Sequence, residues 1–474
     1  GDEKNKSMEL QNEYNVIKKE ITEESVIFVS IIKWFILAAL SGAIIGLATA
    51  IFLKLLNGGI NYTGKFPFYF FLMPLSFFLC EAVIKYLAPD AEGHGTEKVI
   101  KAVHKDSGKI NPMVVPVKLI TTIITIATGG SAGKEGPCAQ IGAGLSSILA
   151  GLLRLNDYDR KKLVICGISA GFASVFGTPV SGAIFGIEVL AAGSMLYDVL
   201  LPSFIAGLTS YQVSSYMGVQ YFHHNINLMH KFEGLFFIKI VLAGIFFGLC
   251  AFIFIEILHI CKHISNNIKT KFPVKGITGG ILLIILTFIF SKDYLGLGLD
   301  TIEKCLSGQE VVWYAFIAKI LFTSITLNFG GSGGIVTPIF FIGSASGNLF
   351  AQLMGLNVAN FSAIGFVALL AGAANTPIAA SIMAMEIFGS TIANYAAIVC
   401  VISFVMTGHR SVYPYQILAI QKSHSLKIDL GMEIRKTDVI LQPEVNSYLI
   451  RLIRIIKIRI KKAKRRVTAI VAKK

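Results

Sequence analysis

Long apolar segments separated by short polar ones dominate the chain. Runs with few or no charged residues cover 35–53, 66–80, 235–258, 277–290 and 395–408. Several approach or exceed the length of about 20 residues that an α-helix needs to cross a bilayer. The strict alternation of apolar and polar residues that marks a membrane β-strand is absent from these runs. The pattern therefore predicts an all-α polytopic membrane protein, integral to the membrane and multi-pass.

Composition supports this class and points away from catalysis. Of the 474 residues, 54% are hydrophobic and 15% are charged, whereas charged residues make up about 25% of an average soluble chain. The seven cysteines form no CxxC pair, so neither a disulfide framework nor a metal site is implied. The sequence contains no H-E-x-x-H or G-x-S-x-G motif. We expect no enzyme activity, no cofactor and no metal.

The net charge of +15 is concentrated near the C-terminus. Residues 451–474 hold eleven Lys or Arg and no acid. Beside membrane-spanning segments, such a run stays on the cytoplasmic side and attracts anionic lipid. A basic run is also typical of nucleic-acid binding, but the apolar spans favour the membrane. We expect contact with membrane lipid, no nucleic-acid partner, and both termini in the cytoplasm.

Two sets of motifs recur in order at nearly the same spacing. "GGSAGKEGPCAQIGA" (129–143) aligns with "GGSGGIVTPIFFIGS" (330–344) at an offset of 201, and seven residues are identical. "GTPVSGAIFGIEV" (177–189) aligns with "NTPIAASIMAMEI" (375–387) at an offset of 198. Two matches at nearly one spacing indicate an internal duplication. Repeated halves with apolar segments interrupted by Gly and Pro are typical of transporters that bind substrates between broken helices.

The stretch "GGSAGKEGP" (129–137) resembles a phosphate-binding loop at first sight but lacks its pattern. That motif requires Gly where Thr128 stands and Ser or Thr where Glu135 stands. Its small residues break a helix, and Pro137 suits the first turn of a new one. Lys134, Glu135 and Gly136 are therefore predicted at a helix N-terminus, where N–H groups favour an anion.

Glu135 supplies a carboxylate that competes with a soluble anion for this position. Such a group acts as a gate, and its protonation would free the site. Two simpler interpretations stay open from the residues alone: Glu135 caps its own helix, and Lys134 is a solvated or paired charge. The second copy, "GGIVTP", carries no charge. It offers the backbone N–H groups of Ile335 and Val336 to an anion, or it packs helices closely.

These motifs resemble those of the CLC family of chloride channels and proton/chloride antiporters. "GSAGKEGP" resembles its G-[KR]-E-G-P signature, "GGIVTP" its GxFxP signature, and "GHGTEKVIKAVH" (93–104) stands in the place of its GSGIP signature. The resemblance spans roughly residues 30–420. It implies a CLC-like fold of two inverted repeats with broken, tilted helices, assembled as a homodimer with one anion pore per subunit.

The resemblance also implies roles for individual residues. Glu135 would be the gate and proton acceptor, and the amides of Ile335 and Val336 would line the anion site. Tyr413 would donate its hydroxyl to the same anion, with Tyr415 as the alternative if the register slips by two. The alternative for either Tyr is an aromatic at the membrane interface.

The sequence departs from the family pattern at three positions. His94 replaces the family's anion-binding Ser, which puts the preferred anion in question, since His donates a hydrogen bond or carries charge. His94 at a helix start and facing elsewhere is the structural alternative. Val189 stands where many exchangers have an internal proton-relay Glu, and Val carries no proton. Val336 replaces an aromatic residue. Glu188, which matches Glu386 in the second repeat, is interpreted as a structural buried acid.

These observations predict an organisation and a function. We expect a cytoplasmic N-terminal segment (1–26), a first transmembrane repeat (27–225), a second repeat (226–410), and a final pore helix with a basic cytoplasmic tail (411–474). No paired nucleotide-sensing (CBS) domain is expected after residue 425. The resemblance implies a chloride transport protein of a prokaryotic plasma membrane, with protons as the second partner. Proton-coupled exchange gated by Glu135 is favoured over a passive channel. Selectivity for another anion, fluoride or nitrate, is the further alternative.

Overall fold

The described chain is all-α apart from a few two-residue strands. The structure is a computed structural model that describes residues 2–226, 234–268 and 274–441. The predicted basic tail at 451–474 lies outside the described residues. The apolar runs that predicted membrane spans all fall on helices, which agrees with the expected fold class.

Sixteen α-helices of the described residues fall into two sets of eight that correspond along the chain. The first set is α1 (Asp2–Thr63), α2 (Met73–Leu87), α3 (Thr96–Lys105), α4 (Val114–Ala127), α5 (Glu135–Leu152), α6 (Asp157–Phe176), α7 (Pro179–Glu188) and α8 (Leu200–Tyr216). The second set is α9 (Gly234–Asn267), α10 (Val274–Ile289), α11 (Leu299–Leu306), α12 (Ala315–Asn328), α13 (Val336–Met354), α14 (Val358–Ala374), α15 (Pro377–Phe388) and α16 (Ser390–Met406).

Corresponding helices begin and end with the same local chemistry. The Asn156 side chain caps α6 by accepting from Asp159 N–H at 2.8 Å, and Asn357 caps α14 in the same way at 3.0 Å. Both helices end in a left-handed residue, Gly177 in the first repeat and Asn375 in the second. Gly and Asn are the residues that tolerate this conformation best. The duplication seen in the sequence therefore extends to the caps.

Helix length and exposure identify the membrane-spanning layer. Among the residues that the structure describes, three helical stretches are long and apolar enough to cross a bilayer, at 18–63, 69–87 and 234–267, while six apolar helices of 10–17 residues are shorter. The inner helices α5, α6, α13 and α14 are buried on nearly all sides, as expected of helices that are apolar all round. The long helices α1 and α9 instead expose rows of large apolar side chains, including Phe35 and Leu249, to the surrounding medium. The apolar helices of 10–17 residues are the broken helices that the sequence predicted.

The two repeats meet at equivalent residues in an antiparallel manner. Gly133 and Gly334 exchange backbone hydrogen bonds, with N–H to oxygen distances of 2.7 and 2.6 Å. Beside this bridge, Ser131 N–H donates to the Thr326 hydroxyl at 3.0 Å, and Ser332 N–H donates to Thr125 at the same distance. Each contact recurs with the repeats exchanged, so a local twofold axis passes between the glycine turns. The inverted repeat is therefore present.

The segment after α16 is not the final pore helix predicted for 411–474. Within the described part of the chain, residues 411–441 contain short strands, turns and one 3₁₀-turn (Ile434–Lys436), but no α-helix. Strand β1 (Ala191–Ala192) pairs in parallel with β2 (Ile417–Leu418), and β3 (Leu426–Lys427) pairs antiparallel with β4 (Ile440–Leu441). Gly408 has a φ of 73°, and Pro414 disfavours helix at the residue before it. The chain therefore stays extended through Tyr413.

The other predicted boundaries fall as follows. Helix α1 runs without interruption through residue 26, so the predicted N-terminal segment is continuous with the first repeat. The predicted boundary between residues 225 and 226 lies in the connection between α8 and α9.

Candidate anion site

Glu135 lies at the N-terminus of a helix that belongs to the other repeat. Its Oε2 accepts from the backbone N–H of Thr337 at 3.0 Å, and its Oε1 accepts from the Thr337 hydroxyl at 2.5 Å. Glu135 is 1% exposed. The sequence predicted this carboxylate at the start of its own helix α5, and it does begin α5, but both of these donors belong to Thr337 in the first turn of α13. A helix N-terminus favours negative charge because its N–H groups point outward.

Ile335 and Val336 form the first residues of the same helix end. Val336 begins α13, Ile335 precedes it, and both are buried. The first N–H groups of a helix have no partner within the helix. The bridge between Gly133 and Gly334 fixes the starts of α5 and α13 beside each other. The predicted anion-binding amides and the predicted gate are therefore brought together.

Tyr413 reaches the core from the extended segment after α16. It is 0% exposed, and its hydroxyl is among the buried polar atoms of the described residues that have no hydrogen-bond partner of normal geometry, although Thr96 lies close by. The Tyr413 hydroxyl is within electrostatic reach of the Glu135 carboxylate. Tyr415, the alternative, is partly exposed and lies against Lys105 and Arg435. Tyr413 is therefore the tyrosine of this core.

His94 lies in the turn before α3 and faces Tyr413. It is 5% exposed, and its ring centroid is 5.4 Å from that of Tyr413. The ring Nε2 is 3.5 Å from Glu97 Oε2, while the buried Nδ1 has no hydrogen bond of normal geometry in the described residues. Gly95, with a φ of 90°, turns the chain so that the His94 carbonyl packs on Gly136. His94 thus lies at a helix start and contacts Tyr413, and its role toward an anion stays a prediction.

A buried lysine holds this turn in place. Lys118 Nζ, on α4, donates to the carbonyl oxygens of Gly93 at 2.5 Å and Ala91 at 3.1 Å. Lys319 stands at the equivalent position, 201 residues later, and donates to Tyr294 and Gly296. Both lysines are 0% exposed. Because each buried ammonium has two carbonyl acceptors, it fixes the loop that precedes α3 or α11.

Two cavities approach this core, each reaching exposed residues. The gate cavity, of about 220 Å³, is lined by Lys134, Glu135, Phe176, Tyr221, Thr337 and Phe340. The histidine cavity, of 230 Å³, is lined by His94, Glu97, His259, Lys262, Val412 and Tyr415. Glu135 belongs to the first and His94 to the second. An ion that passes between the cavities must cross the region of Glu135 and Tyr413.

Comparison with known proteins identifies the family to which this site belongs. The family model described as voltage gated chloride channel matches residues 75–408. The chain belongs to the CLC family. A chloride/fluoride channel protein of Pseudomonas syringae pv. tomato is 36% identical over 417 residues, covering 86% of this chain and 91% of that protein. An uncharacterized protein of Methanocaldococcus jannaschii is 30% identical over 393 residues, covering 82% of this chain and 96% of that protein.

Solved CLC structures share the fold. A CLC-type fluoride/proton antiporter superposes with a TM-score of 0.78 at 26% identity, covering 82% of this chain and 99% of its own. A slow cyanobacterial Cl⁻/H⁺ antiporter superposes with a TM-score of 0.69 at 19% identity, covering 79% and 94%. The chain is thus an integral membrane protein and an anion transporter of CLC type. The Pseudomonas relative is named a channel, whereas both of these solved structures are named antiporters.

The remaining predicted CLC site residues lie around the same centre. Lys134 is half-buried in the wall of the gate cavity, next to Glu135. Gly136 packs between the His94 carbonyl and Gly334, where a Cβ would overlap both. Val189 is fully buried beside Glu188 and offers only its carbonyl, which accepts from Gln416 at 3.0 Å. Their roles toward an anion or a proton stay predictions.

Sequence reasoning missed three residues of this CLC core. Thr337 holds the Glu135 carboxylate, Lys118 holds the turn of His94, and Glu97 faces His94. Thr337 directly follows Ile335 and Val336, whose amides were predicted to bind an anion, so its position in the sequence could have identified it as a site residue. Lys118 was detectable because Lys319 recurs at the same offset of 201 as the glycine motifs. Glu97 lies within the stretch that stands in the place of the GSGIP signature, and no sequence signal singled it out.

Proposed function

We propose that this CLC protein exchanges a small halide for protons, with Glu135 as both gate and proton acceptor. The observation that carries the proposal is the position of the Glu135 carboxylate on the first turn of α13, where it accepts two hydrogen bonds from Thr337. The carboxylate occupies a place that suits a mobile anion. Protonation removes its charge and its preference for that place, so proton binding and anion entry become linked.

The experiment compares Glu135→Gln with the unmodified protein in liposomes. A halide gradient is imposed, and the external pH and the halide concentration are recorded together. The unmodified protein is expected to move protons uphill, whereas Glu135→Gln conducts halide without proton movement and without pH dependence. Halide flux with no uphill proton movement by the unmodified protein would establish the passive channel instead. Unchanged pH dependence in Glu135→Gln would remove Glu135 from the gate.

Fluoride is the second candidate anion beside chloride. The related Pseudomonas protein is named for both ions, and the similar antiporter structure is named for fluoride and protons. The core presents two hydroxyl groups and an imidazole, on Thr337, Tyr413 and His94. Fluoride accepts stronger hydrogen bonds than chloride because its charge is more concentrated, so these donors favour it.

Selectivity is tested by replacing His94 with Ser and comparing fluoride, chloride and nitrate flux. We expect the ratio of fluoride to chloride flux to fall in His94→Ser, since the variant loses the imidazole donor. Equal ratios in the two proteins would remove His94 from the selectivity site. The homodimer, the cytoplasmic position of both termini and the prokaryotic plasma membrane remain part of this proposal, supported by the family resemblance.

A further inference from the structure

A second buried carboxylate, Glu97, belongs to the histidine cavity as Glu135 belongs to the gate cavity. Glu97 is 4% exposed and lies in the first turn of α3. The Tyr413 hydroxyl is within electrostatic reach of both Glu97 and Glu135. The core therefore has one acid toward each cavity, with a single buried tyrosine near both.

We propose that Glu97 and His94 form a proton-transfer pair that carries protons between the histidine cavity and Glu135. This inference rests on the proposed function, since it requires that protons move at all. It assigns a route to a chain in which Val189 offers no acid and Glu188 is held by backbone groups, accepting from Ile378 and Ala379 N–H at 3.0 and 2.8 Å.

The two nitrogens of His94 suit transfer through the ring. Nε2 faces Glu97 Oε2 at 3.5 Å, and the buried Nδ1 has no hydrogen bond of normal geometry in the described residues, although the Val412 backbone lies close to the ring. The same ring contacts Tyr413. A neutral imidazole accepts a proton at one nitrogen and releases one from the other.

The proton balance is simple and involves no oxidation. A hydronium ion in the histidine cavity protonates Glu97 and leaves as water. The carboxyl O–H of Glu97 then breaks as an N–H bond forms at one nitrogen of His94, and the N–H bond at the other nitrogen breaks. The released proton binds the Tyr413 hydroxyl oxygen as the hydroxyl gives its own proton to the Glu135 carboxylate. The reverse sequence serves transport in the other direction.

The cations around Glu97 favour its ionised form. The histidine cavity gives the carboxylate access to water. Cations from three helices and a histidine surround Glu97, and Lys262 lies 3.9 Å from Oε2 with its side chain 50% exposed. The titratable and charged groups that face Glu97 or share its cavity are Glu92, His94, Lys98, Lys118, His259, Lys262, Tyr413 and Tyr415. A proton from the cavity can neutralise a carboxylate in this setting, and the neighbouring cations favour its return to the ionised form.

The alternative is that Glu97 only neutralises two cations, the buried Lys118 and the half-exposed Lys262. A structural ion pair of this kind, when broken, lowers stability and reduces all transport together. A relay residue, when made non-titratable but kept in shape, changes proton movement while halide movement persists. The two interpretations are therefore separated by measuring both fluxes in the same vesicles.

The test uses the full chain in liposomes with four proteins: unmodified, Glu97→Gln, Glu97→Asp and Glu92→Gln. Glu92 lines the same cavity but is exposed, so Glu92→Gln is the matched control. Under an imposed halide gradient, Glu97→Gln is expected to lose proton movement by at least about tenfold relative to halide movement. Glu97→Asp restores part of it, and Glu92→Gln keeps the unmodified ratio.

The outcomes distinguish this inference from the proposed function. If the unmodified protein and Glu97→Gln move protons and halide at the same ratio, and Glu135→Gln loses proton movement, the relay is overturned and the exchanger is left intact. Equal loss of proton and halide flux in Glu97→Gln with no rescue by Glu97→Asp also overturns it, in favour of the ion pair. Absence of uphill proton movement by the unmodified protein overturns both.

Discussion

Thr337 and Glu135 lie 202 residues apart in the chain and form a two-point contact, in which the backbone N–H and the hydroxyl of Thr337 each donate to one carboxylate oxygen. The two residues come from different repeats. The contact therefore exists only when the inverted repeats are assembled, and it places the gate of one repeat on the helix end of the other.

Replacing Thr337 with Val is expected to weaken the hold on the gate while leaving the backbone contact. Loss of a hydrogen bond to a charged group removes about 1.5–3 kcal/mol. Because the lost donor stabilised the ionised carboxylate, the pH of half-maximal halide flux is expected to rise by about 1–2 units. Flux measured in liposomes from pH 4 to 8, a range chosen around typical carboxyl titration, checks this.

The control is Thr337→Ser, which keeps the hydroxyl. It should reproduce the pH dependence of the unmodified protein closely. An identical pH profile for Thr337→Val and Thr337→Ser would show that the hydroxyl does not act on the gate.

Glu188 and Glu386 hold the starts of each other's helices, and we expect them to act in stability rather than proton transfer. Glu188, on α7, accepts from the first N–H groups of α15, and Glu386, on α15, accepts from Val180 and Ser181 N–H at 2.9 Å at the start of α7. A Gln has one acceptor oxygen where the carboxylate has two. Each Gln variant therefore loses one acceptor and is expected to cost about 1–3 kcal/mol.

The thermal midpoint of the purified protein in detergent measures this effect. Glu188→Gln should lower it more than Glu386→Gln, because Glu188 is buried and Glu386 is partly exposed. The exposed Glu303→Gln serves as control. The ratio of proton to halide flux should stay unchanged in Glu188→Gln, and a changed ratio would assign Glu188 to the proton route.

The sequence alone predicted part of the fold and part of the candidate site. The duplication, the helix starts at Glu135 and Val336, and the family were all readable, because glycine and proline punctuation and motif identity are local signals. The contact of Glu135 with Thr337 was not readable, since it depends on how the repeats assemble. The pore helix predicted after residue 411 is absent from 411–441, where Pro414 disfavours helix at the residue before it. Glu97 was missed because its contact with His94 depends on how the turn before α3 folds.

Lys118 and Lys319 occupy equivalent positions in the two repeats, so substituting each tests whether the turn that carries His94 affects anion selectivity. Each ammonium is fully buried and donates to two loop carbonyls. Only the loop of Lys118 contains a predicted site residue. Lys118→Met should therefore change the ratio of fluoride to chloride flux, whereas Lys319→Met should not.

Both variants leave two carbonyl groups without their donor, at a cost of about 1–3 kcal/mol each, so both should lower the thermal midpoint. Flux ratios are compared only for protein that elutes as a single species in detergent. An equal effect of the two substitutions on selectivity would mean that the turn of His94 is not positioned by Lys118.

Glu433 ties the segment that carries Tyr413 to the end of α3, outside the membrane-spanning helices. Its carboxylate is 2.8 Å from Lys105 Nζ and 2.7 Å from Arg435 Nε. Burial raises the pKa of Glu433, but the hydrogen bonds and charges of Lys105 and Arg435 outweigh it and lower the pKa from 4.5 to about 2. Since the folded pKa lies below the unfolded one, this contact stabilises the segment fully above pH 4.5. The stabilisation is lost as the pH falls from 4.5 toward about 2.

Hydrogen exchange of residues 411–441, read by mass spectrometry, measures the effect. After correction for intrinsic exchange rates, protection of this segment is expected to fall between pH 5 and 2, the range set by the two pKa values. Glu433→Gln should already show low protection at neutral pH, and its corrected protection should vary little with acid, because the titrating group is gone. A variant whose protection matches the unmodified protein at every pH would show that Glu433 does not hold the segment. Protection lost at a pH above 5 but below 6.5 would instead indicate a histidine such as His104 at the end of α3, because burial lowers its pKa from 6.5.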